Sequence, residues 1–147
     1  MKFNKIFAKI LFLVLFLIHG ALTNAAISTP ARIYASIDQQ IVTALDNGNK
    51  ISDLVTRCNK LSAVINQYQN NTVRSTTSIH LFHNIIIPLF ATIKAYKSPL
   101  SIAQKADRDA CVAFFNAVLG SKLLNSNLDR NQVARTKQAI KILNAME

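Results

Sequence analysis

The 147-residue sequence has no tryptophan, three glycines, three prolines and a single glutamate, Glu147. One glycine, Gly20, falls in the apolar N-terminal region, so only Gly48 and Gly120 remain beyond it. A backbone that cradles a phosphate or a dinucleotide needs clustered glycines, and no such cluster exists here. The GxSxG nucleophile elbow, the HExxH zinc helix and the CxxCH haem attachment are also missing. Cofactor sites in helical proteins use inward Glu, His or Met, and no apolar stripe described below carries an inward Glu or His. An enzyme is therefore not expected, and neither is a cofactor. Scarce glycine and proline in a chain that is 50% hydrophobic argue for a packed core rather than disorder.

Acids are the other shortage. Seven Asp and Glu stand against 17 Lys and Arg, a formal net charge of +10. Such a balance favours an anionic surface, a lipid headgroup or a wall polymer, beside an unidentified protein as partner. Aromatics interleaved with basic residues are lacking, as is any nucleic-acid-binding motif, which disfavours nucleic acid.

What is present begins with a leader. Lys2, Lys5 and Lys9 precede an unbroken apolar run over residues 10–18, and small residues follow. Thr23 and Ala25 fit the −3 and −1 positions of a cleavage site, so residues 1–25 read as a signal peptide. The run is too short to span a bilayer, which needs about 20 apolar residues. Cleavage after Ala25 removes three lysines and no acid, leaving a charge of +7 on residues 26–147. That remainder has the length of one domain, exported to a periplasm or secreted, and not integral to a membrane after cleavage. In an oxidising compartment its two cysteines, Cys58 and Cys111, are expected to form a disulfide. Closing a loop of that length is worth about 4 kcal/mol in the chain-entropy model.

Helical periodicity covers the rest. Ile33, Ile37, Ile41 and Leu45 form one stripe over residues 30–46, with Gly48 expected as a left-handed cap. Residues 50–69 alternate three and four through Ile51, Leu54, Cys58, Leu61, Ile65 and Tyr68. A turn follows at Asn70-Asn71-Thr72, which also spells a glycosylation acceptor. Residues 79–93, the most apolar run outside the leader, read as the central helix, with a seam of Ile79, Phe82, Ile86, Leu89, Ile93 and Tyr96. Pro88 inside it falls on the opposite, solvent arc, where water can replace the hydrogen bond that Asn84 loses. Ser98-Pro99 marks the next start, before a face of Ala103, Ala106, Ala110, Phe114, Ala117 and Val118 flanked by Cys111 and Phe115. A last helix follows Asn127, with Asp129 in its first turn and Leu128, Val133, Ala139, Ile140, Leu143 and Met146 inward. The expected fold is all-α: a compact antiparallel bundle of four to five helices with short connections and one disulfide.

Three constellations could carry function. Arg130, Lys137 and Lys141 fall within about 40° on the last helix and form a basic stripe that can follow phosphates or anionic lipid. His80 and His83 are spaced to share a metal ion, but the nearest further side chain, Asn84, is a poor ligand, so no metal site is expected. Asp107 and Asp109 point about 200° apart on one helix and cannot converge, so they read as solvated charges. The sequence thus describes an exported, non-enzymatic binding protein of effector, inhibitor or adaptor type. The alternative is a lipid carrier or chaperone-like bundle, which needs an internal cavity.

Overall fold

A computed structural model describes residues 29–73, 76–125 and 127–147, with side chains from residue 32 onward except that of residue 125. The leader and its cleavage position after Ala25 lie outside the described residues. The chain divides into two units, Met1–Ala35 and Ser36–Glu147. In the first, the described residues open a helix on which Ile33 and Tyr34 are exposed. The core belongs to the second.

The fold is all-α, with no strand among the described residues: α1 (Thr29–Asn49), α2 (Leu54–Gln67), α3 (Thr76–Lys94), α4 (Ile102–Gly120), α5 (Lys122–Asn125) and α6 (Arg130–Asn144). Short polar side chains set three of the starts by accepting from otherwise unpaired first-turn amides. Asp53 caps α2 by accepting from Thr56 N at 2.7 Å, so that helix begins after Ile51 rather than at residue 50. Ser101 with Gln104, and Asp129 with Gln132, form reciprocal capping boxes on α4 and α6. The true start of α4 is therefore Ser101, three residues beyond the Ser98-Pro99 signal. Asp129 is the cap of α6 rather than part of its first turn.

Gly48 does not act as a left-handed cap: no described glycine has positive φ, and α1 continues through it to Asn49. Its role is proximity. A Cβ at Gly48 would sit 3.0 Å from Leu61 Cδ2, so the missing side chain lets α1 approach α2.

α3 departs most from simple periodicity. Residues Phe82–Ile86 form a π turn closed by Ile87 N donating to the Phe82 carbonyl. A π turn holds one residue more than an α turn, so everything upstream is displaced by one position around the axis. Downstream, Ile86, Leu89 and Ile93 are buried as the seam requires. Upstream, Leu81, Ser78 and Thr77 face inward and Ile79 is turned out, 58% exposed. Pro88, which follows the π turn, is exposed as expected. The Asn84 carbonyl that a proline cannot serve has Asn49 Nδ2 of α1 at 3.5 Å, a long contact from a side chain. By length and composition alone α3 is apolar enough to cross a membrane. Phe82, Ile86, Leu89 and Ile93 of its seam are nevertheless spent on this protein's own core.

The element shared by the others is α4 rather than α3. α2, α3 and α6 all pack on α4, whose inward face is Cys111, Phe114, Phe115 and Val118, each fully buried. Ala103 and Ala106, expected on that face, are exposed. The expected disulfide is not formed: Cys58 of α2 and Cys111 of α4 are free, buried thiols that hydrogen-bond to one another.

α1 is fastened along α3 by a buried acid. Asp38, 8% exposed, accepts from Thr76 Oγ1 at 2.8 Å, from Thr77 N at 3.2 Å and from the Thr77 hydroxyl. It therefore caps the start of α3 from a different helix. The first and last parts of α3 and α6 are also tied at matching ends. Asn127 Nδ2 donates to the Val73 carbonyl at 2.7 Å, and Leu100 N donates to the Glu147 carbonyl at 2.9 Å. α3 and α6 consequently run in the same direction.

Candidate anionic-partner surface

The basic stripe is built on α6. The Asp129–Gln132 box fixes where that helix starts, with Gln132 N donating to Asp129 Oδ1 at 2.7 Å. Thr136, Ala139 and Leu143 then set its rotation by turning into the core. Burying that arc leaves Arg130, Lys137 and Lys141 on the far side, and all three are exposed. Ala134 between them is exposed too, so the stripe is flat. It extends along about 16 Å of helix at 1.5 Å per residue. No acid occurs within Arg130–Asn144, and none of the three cations has an acidic partner among the described residues. The nearest acid along the chain is the cap Asp129, beside Arg130, so Lys137 and Lys141 have no acid on their own helix, and Lys141 in the last turn also suits the negative end of the helix dipole.

The other singled-out residues are engaged structurally. His80 Nε2 lies 2.9 Å from Asp46 Oδ1 without an aligned hydrogen bond, and His80 Nδ1 lies 2.9 Å from Asn84 Nδ2. His83 is exposed and sets its ring edge-on to Phe82. Among the described residues, no three of His, Cys, Asp and Glu gather where a metal ion could be held. Asp107 is half-buried rather than solvated and accepts from Tyr96 Oη at 2.8 Å. Burial, then the Asp107 hydrogen bond and charge, push the Tyr96 phenol up to about 12. Asp109 is exposed and pairs with Arg108 at 2.8 Å, so the two carboxylates do separate.

The thiol pair is polarised. Hydrogen bonding between the sulfurs raises Cys111 well above the ordinary thiol range, reinforced by burial, and holds Cys58 below it. The Arg57 guanidinium also favours a Cys58 thiolate, against the cost of burying that charge.

Sequence reasoning missed the Asp38 cap and a groove between α3 and α6. The groove has a volume of about 320 Å³. The cap leaves no local signal, because the acid and the helix it serves are far apart in sequence. The groove depends on how two helices are set side by side. No protein-family model, characterised protein or solved structure matches this chain.

Proposed function

We propose that this chain is a small exported, non-enzymatic helical protein that binds an anionic partner through the Arg130–Lys137–Lys141 face of α6. The observation that carries this reading is the exposure of three aligned cations on a helix without a single acid. The well-buried core of Phe114, Phe115, Leu61 and Leu143 favours a solid binding module over a carrier that encloses its cargo. Binding rather than catalysis is supported by the engagement of the acids: Asp38 serves Thr77 and Asp107 serves Tyr96.

We read residues 36–147 as an antiparallel bundle. Support comes from the shared direction of α3 and α6 and from the α2–α4 contact at the two cysteines. In an oxidising compartment Cys58 and Cys111 close to a disulfide by exchange with a disulfide donor while the chain is still folding, since both are fully buried once it has folded. The Cys58 thiolate attacks the donor, Cys111 displaces it, and the donor leaves as a dithiol carrying both electrons. Alkylation of natively exported protein should find neither thiol reactive after unfolding; two alkylated cysteines would refute closure.

Each Lys or Arg near an anionic membrane contributes about 1 kcal/mol, so the stripe is worth about 3 kcal/mol, roughly a hundredfold in affinity. Reversing all three charges to glutamate should abolish sedimentation with phosphatidylglycerol vesicles, while binding of the unaltered protein should weaken with salt. Equal binding by the reversed variant, or equal binding to neutral phosphatidylcholine vesicles, would sink the proposal.

A further inference from the structure

The groove between α3 and α6 lies on a different flank of α6 from the basic stripe. Around the axis, Arg135 and Ile142 stand about 100° or more from Lys137 and Lys141. Its floor is apolar, with Phe90 and Ile87 from α3 and Ala139 and Ile142 from α6. Ile87 is 41% exposed and forms the open edge. A volume of about 320 Å³ sits at the lower end for small-molecule sites, of about 300–1,000 Å³.

What distinguishes this groove from an ordinary crevice is its charge. Each wall contributes one cation, Lys94 from α3 and Arg135 from α6. Lys94 Nζ lies over the Phe90 ring, 5.7 Å from its centroid, so the ammonium leans across the apolar floor. Both side chains are exposed, and neither has an acidic partner among the described residues. The walls hold no carboxylate at all, since neither Thr76–Lys94 nor Arg130–Asn144 contains Asp or Glu. The site therefore offers an apolar trough with cations at its border and nothing to repel an anion. Gln138 adds a neutral hydrogen-bonding group on the same rim.

We propose that this groove binds a single-chain anionic amphiphile, a medium-chain fatty acid. Its alkyl chain lies on Phe90, Ile87 and Ile142, and its carboxylate is held between Lys94 and Arg135. An exposed groove that takes one acyl chain differs from an enclosed cavity that carries a whole lipid. It also uses residues separate from the basic stripe, so either site can fail without the other.

Calorimetric titration of the purified protein with dodecanoate below its micelle concentration tests this directly. Saturable one-to-one binding is expected, at least tenfold tighter than that of dodecan-1-ol, which has the same chain without the charge. The double variant Lys94→Gln with Arg135→Gln should lose at least tenfold. Ile87→Glu, a change at an already exposed edge, should do the same by placing a carboxylate in the trough, and circular dichroism checks that both variants fold. Lys105→Gln, on the exposed part of α4, should bind as the unaltered protein does. The proposal is overturned by absence of saturable binding, by equal affinity for the alcohol, or by insensitivity to both substitutions. Self-association that covers the groove, seen by analytical ultracentrifugation, overturns it equally.

Discussion

Deleting His83 should leave the protein nearly as stable as before, although single-residue deletions in helices are ordinarily severe. The reason is the π turn. Ile87 N donates to the Phe82 carbonyl five residues back. With His83 gone, the same two groups stand four apart, which is the α-helical spacing. Leu81, Ser78 and Thr77 then keep the inward direction they already have, because the deletion removes the extra residue that displaced them. His83 is exposed, and its one described contact is the ring edge against Phe82, so the loss is about 1 kcal/mol. Ala113 of α4 is equally exposed but lies in a regular α-helix, where its deletion must rotate one half against the other by about 100°. Rotating the later half takes Phe114, Phe115 and Val118 out of the core, about 5–9 kcal/mol at 1.5–3 per side chain. Rotating the earlier half unburies Cys111 and breaks the Asp107–Tyr96 hydrogen bond, about 3 kcal/mol. Against a typical total of about 5–15 kcal/mol, even the cheaper route is a large fraction. Urea unfolding followed by far-ultraviolet circular dichroism measures both. If the His83 deletion loses more than about 3 kcal/mol, or as much as the Ala113 deletion, the register argument is wrong.

Other perturbations follow from the same geometry. Asp38→Ala should cost about 2 kcal/mol, because it removes a helix cap and leaves the buried Thr77 amide without its acceptor. A double-mutant cycle with Thr77→Val, which removes the hydroxyl donor and keeps the amide, should show coupling of at least about 1 kcal/mol, and simple additivity of the two losses would refute the bond between Asp38 and the Thr77 hydroxyl. Gly120→Ala should stabilise by about 0.5 kcal/mol through unfolded-state entropy, since a Cβ there meets nothing within 4 Å. Gly48→Ala should instead destabilise by about 1 kcal/mol, because overpacking against fully buried Leu61 outweighs the same entropy gain; a higher Tm for Gly48→Ala would contradict this. For Tyr96, a folded-state pKa raised from 10.0 to about 12 means that the fold favours the neutral phenol. Its contribution is complete below pH 10 and is lost as pH rises towards 12; phenolate absorbance should show a late phase that Tyr96→Phe removes.

Much of this was legible in the sequence where the controlling interaction is local. Arg130, Lys137 and Lys141 share a face because seven and eleven residues nearly complete whole turns, and nothing in α6 disturbs that count. The seam of α2 could be read for the same reason, with Cys58, Leu61 and Ile65 all buried. Errors arose where one residue changed the count or where distant groups met. The seam of α3 holds from Ile86 to Ile93 and fails at Ile79, because the intervening π turn adds a position that a fixed 100° step does not contain. Ser98-Pro99 resembles a helix start, but the reciprocal bonds of Ser101 and Gln104 decide the matter three residues later. Asp107 reads as solvated along α4 because its partner, Tyr96, lies across a chain reversal, just past the end of α3. Arg135 and Lys94 belong to no common cluster along the sequence; only the side-by-side setting of α3 and α6 brings them to one groove.

The Asp38 bridge also bears on the order in which the chain acquires structure. Synthesis proceeds from the N-terminus, so α1 exists before Thr76 and Thr77 emerge. The acid is thus already in place when the amides it serves first become available. α3 begins with Thr-Thr-Ser, which are indifferent helix formers, and its first turn gains its acceptor only when α1 docks. Hydrogen exchange at the Thr77 amide consequently reports the undocking of α1 rather than the fraying of α3, making one backbone proton a gauge of whether two helices are joined.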